Sequence, residues 1–313
     1  MVKRVAAIDC GTNSIRLLIA DGGPTGLRDV HREMRVVRLG EGVDRTGRLA
    51  PAAIERTRLA LADYAASIHS LGATEVRMVA TSASRDADNA DEFRAVVRQA
   101  LGVEPEVITG LAEAELSFTG AVAGLPGVAD PLLLADIGGG STELVLGSPT
   151  ATPGSQKLIA AHSMDVGCVR ITERHLREDP PTEAQVQAAL ADLRVALQAA
   201  MVDVPVGEAA AFVGVAGTVT TIAALALDLP AYDPDAIHGS VIDYLQVSEV
   251  TDRLLKMRRD ERAALPVMHP GRVDVIGGGA LVLRTVMEAV GAREVIASEH
   301  DILDGIAMSL LAR

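Results

Sequence analysis

The sequence predicts an α/β protein of two related domains, and three observations carry that expectation. The first is an internal repeat: "IDCGTNSIRLL" laid under "ADIGGGSTELV" puts Asp9 on Asp136, Gly11 on Gly138, Ser14 on Ser141 and Leu17 on Leu144. Both copies read D-x-G-x-x-S-x-x-L between short apolar runs, the pattern of strand, glycine turn and strand. The second is an alternation of strand-like runs with segments of helical spacing, which is how α/β domains are written. The third is length, since 313 residues exceed one ordinary core.

The elements follow in order. "VAAID" and "LLIA" flank the first glycine turn. Pro51 to Ser70 has helical spacing (Ile54, Leu59, Leu61, Ile68), with Pro51 in its first turn. "VRMVATSA" reads as a strand entering a loop, Asp91 to Leu101 as a helix, "PEVITG" as a strand and Leu111 to Val122 as a helix. "LLLAD" and "ELVLG" flank the second glycine turn, and Thr182 to Met201 is a long helix after a Pro-Pro stop. "AAFVGVAGTVTTIAALAL" is a strand, a Gly-Thr turn and a buried helix; "VDVIGGGALVLRTVMEAVG" reads as the same plan again. Asp301 to Leu311 is a final apolar helix. Gly and Pro cluster from Gly124 to Pro131, so the expected domains are 1–125, with the final helix 301–313 packing back on it, and 126–300.

Composition excludes several classes. Half the chain is apolar (49%), yet no stretch approaches the ~18 uninterrupted apolar residues of a membrane span. The start, "MVKRVAAIDCG", lacks a secretory pattern, and Cys10 and Cys168 make no disulfide framework, so a cytoplasmic protein is expected. A net charge of −13 argues against general nucleic-acid binding. The first 58 residues nevertheless carry eleven basic and seven acidic side chains. Arg28, Arg32, Arg35, Arg38, Arg45 and Arg48 fall in one segment, which is either a surface for phosphate oxygens or a solvated face.

The glycine turns carry the chemistry. Gly138, Gly139 and Gly140 are contiguous and lead toward a Gly-Ser-Pro turn, not the G-x-G-x-x-G and helix of a dinucleotide loop. A Walker loop is excluded because G-K-[ST] is absent. What remains is a hairpin whose N–H groups at Gly138, Gly139, Gly140, Ser141 and Thr142 line an anion site, matched at Gly11, Thr12, Asn13 and Ser14. Phosphate beside protein calls for Mg²⁺, with Mn²⁺ as an alternative, held by one or two carboxylates. Asp9 and Asp136 end their strands just before the turns, and Glu143 lies across the second hairpin.

These residues resemble the two phosphate motifs of the actin–Hsp70–sugar-kinase superfold. More narrowly, the chain resembles the exopolyphosphatase / guanosine pentaphosphate phosphohydrolase family, in a short two-domain form without a further C-terminal domain. The resemblance also includes "VRLGEGVDRTGRL", "ATSASRDADNADEF", "VITGLAEAELSFTG", "MDVGCVRITE", "GVAGTVTT", "IHGSVI", "RVDVIGGGALVL" and "SEHDILDGI", in order along the chain. It implies two actin-like (ribonuclease-H-like) domains with a phosphate-binding cleft between them, hydrolysis of a terminal phosphoanhydride, and a homodimer. The family's base maps onto Glu113 in "GLAEAEL", where Ala112 replaces a glutamate and Glu115 an arginine. If Glu115 faces the substrate it weakens polyanion binding and raises the Glu113 pKa; if it points to solvent it matters little.

The expected mechanism is positioning and charge neutralisation. The two glycine turns hold the terminal phosphates, Asp136, Glu143 and Asp9 place Mg²⁺, Arg16 and Arg85 neutralise phosphate oxygens, and Glu113 activates water. Gly217 and Thr218 either contact phosphate at a helix start or form a plain turn. Gly277 to Gly279 occupy the superfold's adenosine position, and close packing of Ala280 and Leu281 against a strand explains them equally. His238, in "IHGS", is a site candidate by the resemblance and at least equally a satisfied structural histidine, and Cys10 and Cys168 read as buried filler. The expected substrate is inorganic polyphosphate, with short chains preferred; the alternatives are guanosine pentaphosphate and a non-catalytic sensor of polyphosphate or an alarmone.

Overall fold

The computed structural model describes residues 3–23, 26–125, 127–149 and 157–312. The chain divides into two compact units, Met1–Ala123 with Asp301–Arg313, and Gly124–His300.

The first unit is built on a five-stranded sheet of β1 (Arg4–Cys10), β2 (Ser14–Gly23), β3 (Gly26–Val36), β4 (Glu75–Ala80) and β5 (Glu106–Val107), in the order β3-β2-β1-β4-β5. The first three strands are antiparallel neighbours, while β4 and β5 join β1 in parallel. Alternate residues of β1 face opposite sides. Ala6 and Ile8 join the core under the helix Pro51–Leu71, whereas Val5 and Ala7 pack against Ile302, Leu303 and Ile306 of the last helix, Ile302–Leu311. A strand covered on both faces has no polar side to show, hence the unbroken apolar run.

The last helix crosses the helix Gly110–Ala123 at a point where both lack side chains. A Cβ on Gly120 would sit 1.8 Å from the Asp301 carbonyl oxygen, and one on Gly305 would sit 2.0 Å from that of Leu116. Only paired glycines let the two backbones meet this closely.

The second unit repeats the plan: β6 (Leu132–Ile137), β7 (Thr142–Ser148), β8 (Lys157–Met164), β9 (Ala211–Val215), β10 (Val241–Asp243) and β11 (Glu294–Ala297), in the order β10-β11-β9-β6-β7-β8. Read from the other end, β8-β7-β6-β9-β11 matches β3-β2-β1-β4-β5, and β10 is an added antiparallel edge. Its core lies between the sheet and the helices Glu183–Asp203, Ala216–Ala226, Tyr244–Lys256 and Ile276–Val290.

One expectation is corrected. "VDVI" is not a strand: Val275 and Ile276 donate to the Arg272 carbonyl in a turn that runs straight into the helix Ile276–Val290. The three glycines therefore lie inside that helix. Gly278 packs on Thr172 of the helix Cys168–His175 and Gly279 on Thr218, so the close approach is to helices and not to a strand.

Candidate active site

Parallel strands deliver their functional residues at their C-terminal ends. In the first unit Cys10 pairs with Ala80, and Ala80 with Val107, so three strand ends lie side by side. From them emerge the turn Gly11–Ser14, the short helix Ser82–Arg85 and the helix bearing Glu113.

The turn is braced from behind. Gly11 N–H donates to the Ser14 carbonyl (2.9 Å), which closes the hairpin. The Asn13 carbonyl accepts from Val37 and Arg38 and that of Thr12 from Gly40, while the Thr12 and Ser82 hydroxyls share a 2.8 Å hydrogen bond. Asp9 is the penultimate residue of β1 and is 5% exposed. Its cross-strand partner is Arg16, whose Nε and Nη2 both donate to Asp9 Oδ2, at 3.0 and 2.6 Å. Arg16 Nη1 donates to Asp301. Burial pushes the Asp9 carboxyl up, more than its one guanidinium pulls it down. Burial also works against the Arg16 charge, but Asp301 and Asp9 together hold Arg16 well above its usual pKa. Asp9 Oδ1 is buried and has no hydrogen-bond partner.

Glu113 sits in the first turn of its helix, 8% exposed. Arg85 Nη1 reaches its Oε2 at 3.2 Å and also donates to the Ile108 carbonyl, which fixes the carboxylate against the end of β5. Glu115, two residues on and so on the opposite face of the helix, is exposed. It does not share the Glu113 environment, and the solvent alternative stands.

In the second unit the glycine turn is fixed differently. Gly138 N–H donates to Ser141 O, while the carbonyls of Gly138 and Gly139 accept from Cys168, Val169 and Arg170, the first turn of the helix Cys168–His175. That docking accounts for "MDVGCVRITE". The Thr142 hydroxyl donates to Val166 O at 2.6 Å and Gly138 N–H closes the hairpin, so both groups already carry structural bonds. Asp136 and Glu143 are direct cross-strand partners, 6% and 1% exposed, on one face of the sheet. Ser163 Oγ donates to Glu143 Oε1 at 2.7 Å. Two buried carboxylates side by side are a hard-oxygen donor set of the size Mg²⁺ uses with phosphate and water. Among the described residues no three His, Cys, Asp or Glu side chains gather into a complete cage.

Gly217 and Thr218 lie in the first turn of the helix that follows β9, beside Asp136, which pairs with Val215. The Arg272 guanidinium lies flat on Gly217, where a Cβ would meet it at 2.1 Å, and donates to Thr221. The structural reading of His238 holds: Glu299 N–H donates to Nδ1, so Nε2 carries the proton and donates to Gly124 O at 2.7 Å. The Cys168 thiol is pushed up to about 11 by burial, and that of Cys10 higher still, as expected of inert filler. The arginine-rich segment is largely self-neutralised. Arg28 pairs with Asp21, Arg32 with Asp29 and Asp304, Arg35 with Glu33 and Asp63, and Arg48 with Glu92.

The sequence reading missed Asp301, Ser163 and Arg272, each of which touches an expected site residue from a distant segment. Two of them lie in quoted motifs, "SEHDILDGI" and "RVDVIGGGALVL", so the signal was present without a role attached.

A model of the Ppx/GppA phosphatase family matches residues 18–313. The chain belongs to that family. It is 53% identical to exopolyphosphatase 2 of Mycobacterium tuberculosis (strain H37Rv), across 99% of both chains. Among solved structures it resembles an exopolyphosphatase-like protein at 43% identity and a TM-score of 0.92, covering 99% and 98% of the two chains. The Aquifex aeolicus member of the Ppx/GppA family is similar at 31% identity and a TM-score of 0.82, covering 100% and 98%. These relatives agree with the α/β fold of two actin-like domains. Among the described residues no helix is long and apolar enough to cross a membrane.

Proposed function

We propose that this protein is an exopolyphosphatase that hydrolyses the terminal phosphoanhydride of inorganic polyphosphate and releases orthophosphate. Full-length similarity to a protein named exopolyphosphatase 2 supports the substrate. The observation that carries the chemistry is the buried carboxylate Glu113, held by Arg85 beside a phosphate-type turn. Glu113 Oε accepts the proton of the attacking water, and its ion pair with Arg85 keeps the carboxylate aimed. The turns at Gly11–Ser14 in the first unit and Gly138–Thr142 in the second bind phosphate through backbone N–H groups other than those of Gly11 and Gly138, which close the hairpins. Asp136 and Glu143 in the second unit, and Asp9 in the first, are the carboxylates that would hold Mg²⁺ or Mn²⁺. Bound there, the ion would neutralise charge on the phosphate oxygens. The cytoplasm as location, a homodimer as assembly and a preference for short chains belong to the same proposal.

The test is orthophosphate release, with Mg²⁺, from short polyphosphate, long polyphosphate and guanosine pentaphosphate side by side. Fastest release from short polyphosphate is expected. Faster release from guanosine pentaphosphate would reassign the substrate, and binding without release from any of the three would make the protein a sensor.

A further inference from the structure

Asp9 is the hairpin carboxylate with a buried oxygen left over. Its Oδ2 takes two donors from Arg16, and its Oδ1 takes none. A buried carboxylate oxygen without a donor is costly unless something else is to meet it. What fixes the direction of that oxygen is Arg16, and what fixes Arg16 is Asp301.

Asp301 is itself held rigidly. Its Oδ1 caps the last helix by accepting from Leu303 N–H at 3.0 Å, and its own N–H donates to Asp304 Oδ2 at 3.2 Å. Its carbonyl is pressed onto Gly120, in the helix that carries Glu113. Asp304 is anchored in turn by Arg32, whose Nη2 donates to Oδ1 at 2.6 Å. Asp301 is 3% exposed and Asp304 fully buried, so water does not compete for these bonds.

We propose that Asp301 is a positioning residue for hydrolysis: through Arg16 it holds Asp9 so that Oδ1 is presented to the cation of the phosphate site. This inference rests on the assignment of Asp9 under the proposed function. The chain of contacts, Asp301 to Arg16 to Asp9, lies wholly within the first unit and ties its last helix to its first strand. One carboxylate oxygen of Asp301 serves the helix and the other serves Arg16, so the two duties separate by substitution.

The experiment uses the full chain in two variants. In Asp301→Asn the side-chain oxygen still caps the helix, and the NH₂ faces the Arg16 donor, which repels it. In Asp301→Ser the hydroxyl still caps the helix but is too short to reach Arg16. Melting temperature, Mn²⁺ affinity by calorimetry, kcat and KM for polyphosphate are measured for each, together with Asp9→Asn and Asp9→Asn/Asp301→Asn. Expected is a melting temperature close to wild type, with Mn²⁺ affinity and kcat both lower by roughly 10–100-fold and KM little changed. Asp9→Asn should lose at least as much, and the double variant no more than Asp9→Asn alone, because the relay ends at Asp9. Wild-type Mn²⁺ affinity and kcat in both Asp301 variants, with Asp9→Asn impaired, would overturn the relay alone. Losses that multiply in the double variant would overturn it too. A wild-type-like Asp9→Asn would sink the Asp9 assignment along with the relay.

Discussion

The two units share a plan and differ at one register position. In each, the penultimate residue of the hairpin's first strand is an aspartate, and the residue seven places on lies directly across from it. In the first unit that residue is Arg16 and in the second it is Glu143. One hairpin thus holds a pinned carboxylate with a single spare oxygen, and the other holds two carboxylates together. The bracing differs in the same way: the first turn leans on loop backbone at residues 37–40, the second on the first turn of a helix. The frame is repeated, and the cross-strand position is where the proposed labour divides. The second unit carries two adjacent buried carboxylates, Asp136 and Glu143, and the first carries the buried Glu113, the proposed base.

The largest expected effect tests that division. Glu113→Gln should lower kcat by about 10²–10⁴-fold while Mn²⁺ and polyphosphate binding, read by calorimetry, stay near wild type. Loss of Mn²⁺ binding in this variant would mean the labour is not divided between the units. Next comes Ser163→Ala, which removes the donor to Glu143 Oε1 and should weaken Mn²⁺ affinity by roughly 10–100-fold without a matching fall in polyphosphate affinity. An unchanged Mn²⁺ titration would place the cation away from Glu143.

Gly120→Ala sharpens the comparison from the side of stability. The added methyl would overlap the Asp301 carbonyl, so a loss of about 1–3 kcal/mol is expected even after the gain in helix propensity. Hydrogen exchange should rise in the first unit and not in the second; equal rises would show the units to be one cooperative block.

The smallest effect is on acid stability. Hydrogen bonding to Arg4, and secondarily to Arg28, holds the Asp21 carboxyl below the ordinary aspartate value of 3.8. A carboxyl depressed on folding contributes stability above its unfolded pKa and loses it as pH falls through the folded value. Denaturant midpoints should therefore favour wild type over Asp21→Asn at neutral pH, and the gap should close below about pH 3.8. A gap independent of pH would assign the difference to packing.

The legible parts of the sequence were those governed by local rules. Both hairpins, the helix after Pro51 and the final helix follow from periodicity, and the repeat announced two related sheets. The edge strands β3 and β8 were missed because "GLRDVHREMRV" and "KLIAAHSM" mix charge or histidine into the run, as an edge facing water permits. "VDVI" misled for the opposite reason: three apolar residues of four before glycines look like a strand, but here they form a turn, with Val273 and Ile276 buried, that leads into a helix. The same divide runs through the site. Asp9, Asp136 and Glu143 stand out because glycine turns mark their neighbours, and Glu113 was reached only by resemblance. Asp301 lies 285 residues from the arginine it grips, and no pattern within a window of sequence connects the two.

The closing helix also makes the first unit discontinuous along the chain. Gly124–His300 is one continuous stretch of chain, whereas the first unit has Val5, Ala7, Leu18 and Ala20 covered by a helix from the late segment, Ile302–Leu311. The residue that secures Arg16 arrives with the same late segment, so a nascent chain holding both glycine turns and Glu113 would still lack the anchor for Asp9.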